Sequence, residues 1–340
     1  MPQTSPQAAV LTELEPVVAE NLDRHIRMAK EWHPHDYVPW DEGRNFAFLG
    51  GEEWSPEQSR LDQTAKAAMF VNLLTEDNLP SYHREIATRF GRDGAWGQWV
   101  GRWTAEEGRH GVALRDYLVV TRGVDPVELE RARMDYMTTG YDSGDKSPLE
   151  AVAYVSFQEL ATRVSHRNTG KATGDPIADK LLARIATDEN LHMIFYRNLV
   201  TAAFDIDPDE TMKAVATEVM NFEMPGANMA NFRKNSTIIA KAGIYEPAPA
   251  PRRGRRADPA HLEGLRAQRP RPRGRAGPRA ARRVHGRSGR PGGQVRGEPR
   301  ADARPHGRQG RGARPGVRSG GYDIVGLRPT PRPRAVPPLS

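Results

Sequence analysis

Apolar and polar positions follow the helical period through most of this chain. Apolar residues recur at spacings of three and four in five stretches: 61–74, 95–120, 149–166, 177–204 and 209–223. This spacing predicts amphipathic α-helices, and alternating strand patterns are nearly absent. Pro80 stands inside a helical pattern and is expected to kink or end the helix. Residues from about 6 to 241 are therefore predicted to form an all-α bundle.

The helical pattern ends near Pro247. Of the 90 residues 251–340, 54 are Arg, Pro or Gly. A segment of this composition cannot bury an apolar core, so we expect it to be disordered. The sequence thus predicts a helical domain over residues 1–246 and a low-complexity basic tail over residues 247–340.

Charge divides the chain in the same way. The net charge is +7, but residues 251–340 hold 24 Arg, no Lys and five acidic residues, whereas residues 1–250 have a balance of −12. One interpretation is a basic tail that binds nucleic acid or an anionic surface. The interpretation we favour is a shifted reading frame in GC-rich coding DNA, which produces Arg, Gly, Pro and Ala without Lys.

Composition also excludes some classes of function. There is no cysteine, which excludes disulfides, thiolate zinc sites and a cysteine nucleophile. The N-terminal residues lack a charged start followed by an apolar core, so we predict no secretory signal. No apolar run approaches the ~20 residues of a membrane-spanning helix. We expect a soluble, cytoplasmic protein.

A carboxylate and histidine motif occurs twice. Glu107 precedes His110 by three residues, and Glu189 precedes His192 by three. A single Glu stands 31 residues before the first motif, at Glu76, and another stands 30 residues before the second, at position 159. Charges on a solvated helix face have no reason to keep this register, so we interpret the pattern as an internal repeat.

Residues three apart on a helix project to the same side, about 60° apart around the axis. A carboxylate and an imidazole so placed can bind one metal ion. The second motif can bind a second ion, and the two single carboxylates can complete the ligand sets of both. This is the ligand plan of ferritin-like dimetal carboxylate bundles. Four carboxylates neutralise two divalent ions, which lets the cluster lie in a buried site. Carboxylate and imidazole ligands suit iron or manganese.

Other chemistry-bearing residues receive plainer interpretations. Glu106 lies on a different face of the helix from Glu107. We expect it either to be solvated or to contact a metal ligand without itself binding the metal. We expect His166, beside Ser165, to lie on a helix surface. The remaining histidines outside the motifs are not expected to be ligands: His25, His33, His35 and His83. Tryptophans at helical spacing are expected in the core: Trp96, Trp99 and Trp103.

Four segments carry a resemblance to a known family. TEDNLPSYHREI, WTAEEGRHGVALRDYL, SFQELATRVSHRNTG and TDENLH resemble the soluble acyl-acyl-carrier-protein desaturases, with the mycobacterial type the most similar, over about residues 14–245. The family is ferritin-like and contains two iron ions. Residue by residue, the resemblance implies the iron ligands Glu76, Glu107, His110, Glu159, Glu189 and His192.

The resemblance implies roles for three more residues. Thr162 matches the hydroxyl residue beside the oxygen-binding side of the cluster, although a helix Thr also bonds ordinarily to a backbone carbonyl. Asp188 matches a carboxylate that orients His110, and such a partner fixes the tautomer and basicity of a ligand. Trp32 matches an aromatic residue connected to that carboxylate on a possible electron route.

The activity implied by the resemblance is oxygen-dependent insertion of a cis double bond into a fatty acyl chain. Its partners would be acyl carrier protein and a ferredoxin-type electron donor, and the enzyme would be a homodimer. Three alternatives stay open: another ferritin-like dimetal oxidase or hydroxylase, a protein whose basic tail binds nucleic acid, and an inactive relative that only dimerises. The altered C-terminal sequence puts the activity and the dimer of this chain in question.

Overall fold

The computed structural model describes residues 6–245 apart from 227 and 230, and the described part is helical. Its α-helices are α1 (Pro6–Met28), α2 (Gln63–Asp77), α3 (Leu79–Phe90), α4 (Gly94–Val120), α5 (Pro126–Thr139), α6 (Pro148–Ala172), α7 (Pro176–Ile206), α8 (Pro208–Asn221) and α9 (Phe232–Lys241). Short 3-10 helices lie between α1 and α2: Pro34–Tyr37, Trp40–Glu42, Ala47–Leu49 and Pro56–Gln58. Within the described residues, strand pairing is limited to an isolated bridge between Phe46 and Glu52.

The predicted all-α class is confirmed. Each of the five periodic stretches corresponds to a helix: α2, α4, α6, α7 or α8. The break expected at Pro80 is also present, because α2 ends at Asp77 and Pro80 lies in the first turn of α3. The predicted tail, 247–340, lies outside the described residues, so its boundary and disorder stay predictions.

Four consecutive helices begin in the same way, with a capping side chain followed by Pro. Asp125 accepts hydrogen bonds from the backbone N–H groups of Val127 and Glu128. The other caps are Ser147, Asp175 and Asp207. A capping oxygen satisfies a backbone donor that has no partner inside the helix, and Pro at the first position has no N–H to satisfy. These pairs fix where α5, α6, α7 and α8 start.

Two apolar clusters lie on either side of a polar layer in the bundle. One contains Trp99 and Trp103 from α4 together with Phe195 from the later part of α7. The other contains Leu114 from α4 together with Leu181 from the early part of α7. Because α4 and α7 pass through the clusters in opposite order, they run antiparallel. The polar layer is therefore reached at the middle of both helices.

We expect Leu181→Ala to lower the free energy of unfolding by about 2–5 kcal/mol, because the change leaves a cavity in the second cluster. Leu181 has no exposed surface. Met134→Ala is the matched control, since Met134 is 59% exposed, and it should change the free energy by less than about 0.5 kcal/mol. Urea denaturation of both variants measures the difference; equal values would contradict the assigned core.

Candidate metal centre

All six residues of the repeat come together in the polar layer. Glu76 lies in the last turn of α2, and position 159 is on α6. Glu107 and His110 are on α4, and the second motif is on α7. All six side chains are buried. Four helices thus converge on one buried volume that is rich in carboxylate and imidazole groups.

The six residues form two overlapping groups. Each group contains four residues whose candidate ligand atoms all lie within 4.8 Å of one another. The first consists of Glu76, Glu107, His110 and Glu189, and the second of Glu107, Glu159, Glu189 and His192. Glu107 and Glu189 belong to both groups, so each could contribute an oxygen to either of two cations.

The histidines present the same nitrogen to this centre. His110 Nδ1 lies 3.4 Å from Glu107 Oε2 and 3.4 Å from Glu189 Oε1. His192 Nδ1 lies 2.8 Å from Glu107 Oε1, and its distance from Glu159 Oε2 is 3.5 Å. In both rings Nε2 points away from the centre and toward an outer carboxylate. The Nδ1 atoms are therefore the ones placed for a metal ion.

The donor set fits a pair of cations. Five buried inward-facing atoms make no hydrogen bond of good geometry among the described residues, although His192 Nδ1 and Glu107 Oε1 lie 2.8 Å apart: Glu107 Oε1, His110 Nδ1, Glu159 Oε2, Glu189 Oε1 and His192 Nδ1. Leaving so many buried polar atoms unsatisfied is costly. Burial and the nearby Glu189 carboxylate also raise the pKa of Glu159 well above its usual value. Cations at this position would satisfy the atoms and offset the repulsion.

Asp188 connects the first histidine to the next layer of residues. Its Oδ2 lies 3.3 Å from His110 Nε2 and accepts hydrogen bonds from Trp32 Nε1 at 2.8 Å and Arg109 Nη2 at 2.7 Å. Arg184 contacts its other oxygen. Burial alone would raise the pKa of Asp188, but the contacts with His110, Trp32 and Arg184 lower it. The ionised carboxylate holds the His110 ring by its outer nitrogen.

Thr162 contacts the centre through Glu189. Its hydroxyl is 3.0 Å from Glu189 Oε2, and it is also 3.1 Å from the backbone oxygen of Glu159. The hydroxyl of Thr162 therefore has a partner for each interpretation: a carboxylate of the centre for a functional role and a backbone carbonyl for the ordinary role of a helix Thr. Since the hydroxyl carries one proton, it can donate to only one of these oxygens at a time.

One interpretation from the sequence was wrong. His166 is not on a helix surface; it is 1% exposed, and its Nε2 lies 2.8 Å from Glu76 Oε1. Position 166 is seven residues after Glu159, two helical turns along α6, so it faces the same side. Burial alone would raise the pKa of Glu76, but the contacts with His110 and His166 lower it.

Three further contacts were missed or left open. Glu106 is buried and contacts both His192 and His25. It is therefore not solvated, and it contacts the candidate ligand His192 from outside the centre. Trp103 lies in the core as predicted, but its Nε1 also donates to Glu159 Oε1 at 2.9 Å. The repeat itself contained a signal for Glu106, because both motifs have an acid directly before the Glu. His25 had no such signal.

An apolar cavity reaches the centre from one side. Glu76 and Glu107 are among its lining residues, and its walls come mainly from α3, α6 and the segment between α5 and α6. Apolar and aromatic side chains dominate the lining, among them Leu79, Ile86 and Val155. Charged lining residues outside the centre are Glu85, Arg89 and Lys146. The cavity thus presents a mostly apolar path that ends at two of the six residues.

The fold and the centre define a class: an all-α, ferritin-like bundle whose buried carboxylate and histidine groups can hold two metal ions. The described helices include none that is both long and apolar enough to cross a membrane. A family model described as fatty acid desaturase matches residues 6–249. The chain belongs to this family.

Two relatives from Mycobacterium tuberculosis are named as acyl-[acyl-carrier-protein] desaturases. A Mycobacterium tuberculosis protein named as the acyl-[acyl-carrier-protein] desaturase DesA1 is 57% identical over 246 residues, which cover 70% of this chain and 73% of the relative. DesA2 of the same organism is 42% identical, covering 71% and 88%. The X-ray structure of DesA2 matches with a TM-score of 0.60 at 40% identity, covering 70% of this chain and 88% of that chain.

We expect divalent metal ions to stabilise the folded chain, because they offset the charge of the buried carboxylates only in the native state. Saturating Co²⁺, at about 100 times its dissociation constant, should add about 2.7 kcal/mol per site to the free energy of unfolding. Thermal denaturation with and without Co²⁺ measures this. Mg²⁺ is the control ion, since it prefers oxygen ligands and retains its water; equal stabilisation by both ions would argue against the mixed donor set.

Proposed function

We propose that this chain is an acyl-[acyl-carrier-protein] desaturase that works with two iron ions. The observation that carries the proposal is the pair of overlapping ligand groups that share Glu107 and Glu189 at the end of an apolar cavity. The proposed ligands are the six residues of the repeat: Glu76, Glu107, His110, Glu159, Glu189 and His192. The names of the mycobacterial relatives support the reaction and the carrier.

Charge and donor type support iron. Four carboxylates offset two divalent ions, so the occupied centre would carry no net charge in its low-dielectric surroundings. Imidazole and carboxylate donors suit iron in its divalent and trivalent states, and the chain has no thiolate that would favour zinc. Manganese has similar preferences, and metal analysis of purified protein separates the two.

The reaction removes one hydrogen from each of two adjacent methylene groups. In balance, the acyl chain, one O₂, two electrons and two protons give a cis alkene and two waters. Side-chain acids and bases cannot activate such C–H bonds, and a bound iron pair supplies the oxygen chemistry that does. The task of the protein is to hold the chain in one register beside the centre and to exclude water.

The apolar cavity is the proposed binding site for the acyl chain. Its wall includes the phenols of Tyr82 and Tyr154, and burial raises the pKa of both well above the usual value. Both phenols therefore stay neutral at physiological pH. A neutral, largely apolar wall suits a hydrocarbon chain, whose burial contributes about 0.8 kcal/mol per methylene.

Three residues outside the ligand set have proposed roles. Thr162 can hold a proton at its hydroxyl, 3.0 Å from Glu189 Oε2, beside the position where O₂ would react. Asp188 keeps the proton of His110 on Nε2, which leaves Nδ1 free to bind metal. Trp32 donates to Asp188 and would complete a route for electrons from the donor.

The partners in this proposal are acyl carrier protein with its acyl chain, a ferredoxin-type electron donor and a second copy of this chain. The proposal includes neither nucleic acid nor a membrane as partner, and it keeps the cytoplasmic location predicted from the sequence. Acyl carrier protein is acidic, so a locally basic surface should bind it. Arg89 and Lys146 line the cavity, but each is paired with a carboxylate, Glu85 or Glu218, so neither offers an unpaired positive charge to the carrier.

Glu107→Ala should lower the iron content from two ions per chain to less than one and abolish desaturation, because Glu107 belongs to both ligand groups. Glu13→Ala, at an exposed position of α1, is the control and should keep both. Iron analysis and product analysis with acyl carrier protein substrates measure the two effects. A Glu107→Ala protein that retains two ions would overturn the ligand set; a hydroxylated product would favour the alternative dimetal hydroxylase.

Val155→Phe should lower desaturation of long acyl chains by about tenfold or more, because the added ring occupies the cavity and shifts or excludes the chain. The iron content should be unchanged, since Val155 contributes no ligand. Val112→Phe makes the same change at a 51% exposed position of α4 and serves as the control. Unchanged kinetics in Val155→Phe would place the acyl chain elsewhere.

A further inference from the structure

Each of the two motifs has an acid directly before its Glu, and each acid contacts the histidine of the other motif. Glu106 Oε2 lies 2.9 Å from His192 Nε2, and Asp188 Oδ2 lies 3.3 Å from His110 Nε2. The crossing follows from the antiparallel course of α4 and α7, which brings the residue before one motif beside the end of the other. The two histidines therefore have equivalent outer carboxylates.

Each outer carboxylate also has a buried aromatic partner. Trp32 contacts Asp188, and His25 contacts Glu106, with His25 Nε2 2.8 Å from Oε2 of that carboxylate. His25 is 1% exposed, and its ring stacks on that of His192 with centroids 5.6 Å apart. Both outer residues come from one short stretch, since His25 is in the last turn of α1 and Trp32 follows the helix.

We propose that Glu106 and His25 together position His192 for metal binding, as Asp188 and Trp32 do for His110. The inference rests on the proposed metal pair. For His192 Nδ1 to bind a metal ion, the ring proton must be on Nε2, and Glu106 is its acceptor. The same carboxylate oxygen also accepts from His25, so His25 fixes the rotation of the carboxylate.

The charge around Glu106 fits this role and opposes a third metal ion. His25, Glu106 and His192 are close enough to form a ligand group by themselves. However, Arg102 and Arg109 both approach Glu106 Oε1, the latter at 3.7 Å. Two guanidinium groups already neutralise the carboxylate and would repel a cation. The group is therefore a hydrogen-bonded support for His192.

The test is a titration of the full-length metal-free protein with Co²⁺, followed by the visible absorption of the bound ion. Glu106→Gln should weaken one of the two positions by about 10- to 100-fold and change the spectrum of that position alone, because outer partners of metal-bound histidines have effects of this size. Asp188→Asn should weaken the other position. The two variants should thus differ in which spectral component they affect.

Variants of His25 test the second residue of the proposal by the same titration. His25→Leu should weaken the same position as Glu106→Gln, and His25→Gln should restore it, because a glutamine amide nitrogen can occupy the place of Nε2. His83→Leu is the control: His83 is half-buried and bonds to Thr104, away from His192. It should bind Co²⁺ like the original chain.

The outcomes separate the two proposals. If the unaltered chain binds no Co²⁺, the proposed metal pair is wrong. If that chain binds two ions and Glu106→Gln binds them equally well, the positioning role is wrong while the proposed function stands. If Glu106→Gln weakens both positions equally, Glu106 supports the bundle as a whole, and the specific pairing with His192 is wrong as well.

Discussion

Repulsion among buried carboxylates is the constraint on which this structure depends. Four Glu side chains from four helices are directed into one volume from which water is largely excluded. Such a group is unfavourable in a low-dielectric interior unless positive charge accompanies it. Burial alone would lower the pKa of His110 and His192, but the neighbouring carboxylates raise it well above its usual value, so these imidazoles supply at most two positive charges against four carboxylates. The bundle thus has a centre whose charge a pair of cations would balance, and its apolar clusters must hold that centre together.

The clusters can do so because polar residues replace apolar ones on the inward face of each helix while the helical spacing of inward positions continues unchanged. On α4 the inward stripe passes from Trp103 through Glu107 and His110 to Leu114. All four positions face inward, so replacing apolar residues by ligands at the centre keeps the helix packed above and below it. The same succession on α7 makes the layer continuous. The ligand geometry is therefore set by helix packing on both sides rather than by a flexible loop.

The sequence was informative where one helix alone carries the information. Spacing within a helix identified both motifs, and the register between Glu76 and Glu107 matched that of the second half. Contacts between distant segments left no comparable pattern. His166 was misassigned although it lies two turns after Glu159 on one face of α6, a spacing that was overlooked; its partner, Glu76, is 90 residues away. His25 contacts a residue 81 positions away. The apolar cavity was likewise invisible, since its walls are assembled from separate helices.

The positions of these residues bear on the unusual composition after residue 246. The ligand groups, their outer carboxylates, His25, Trp32 and the cavity lining all lie between residues 25 and 225. All six candidate ligands thus lie within the described helices. A change of composition beyond residue 246 removes none of these groups. Its effect on the stability of the bundle is a property separable from the chemistry of these groups.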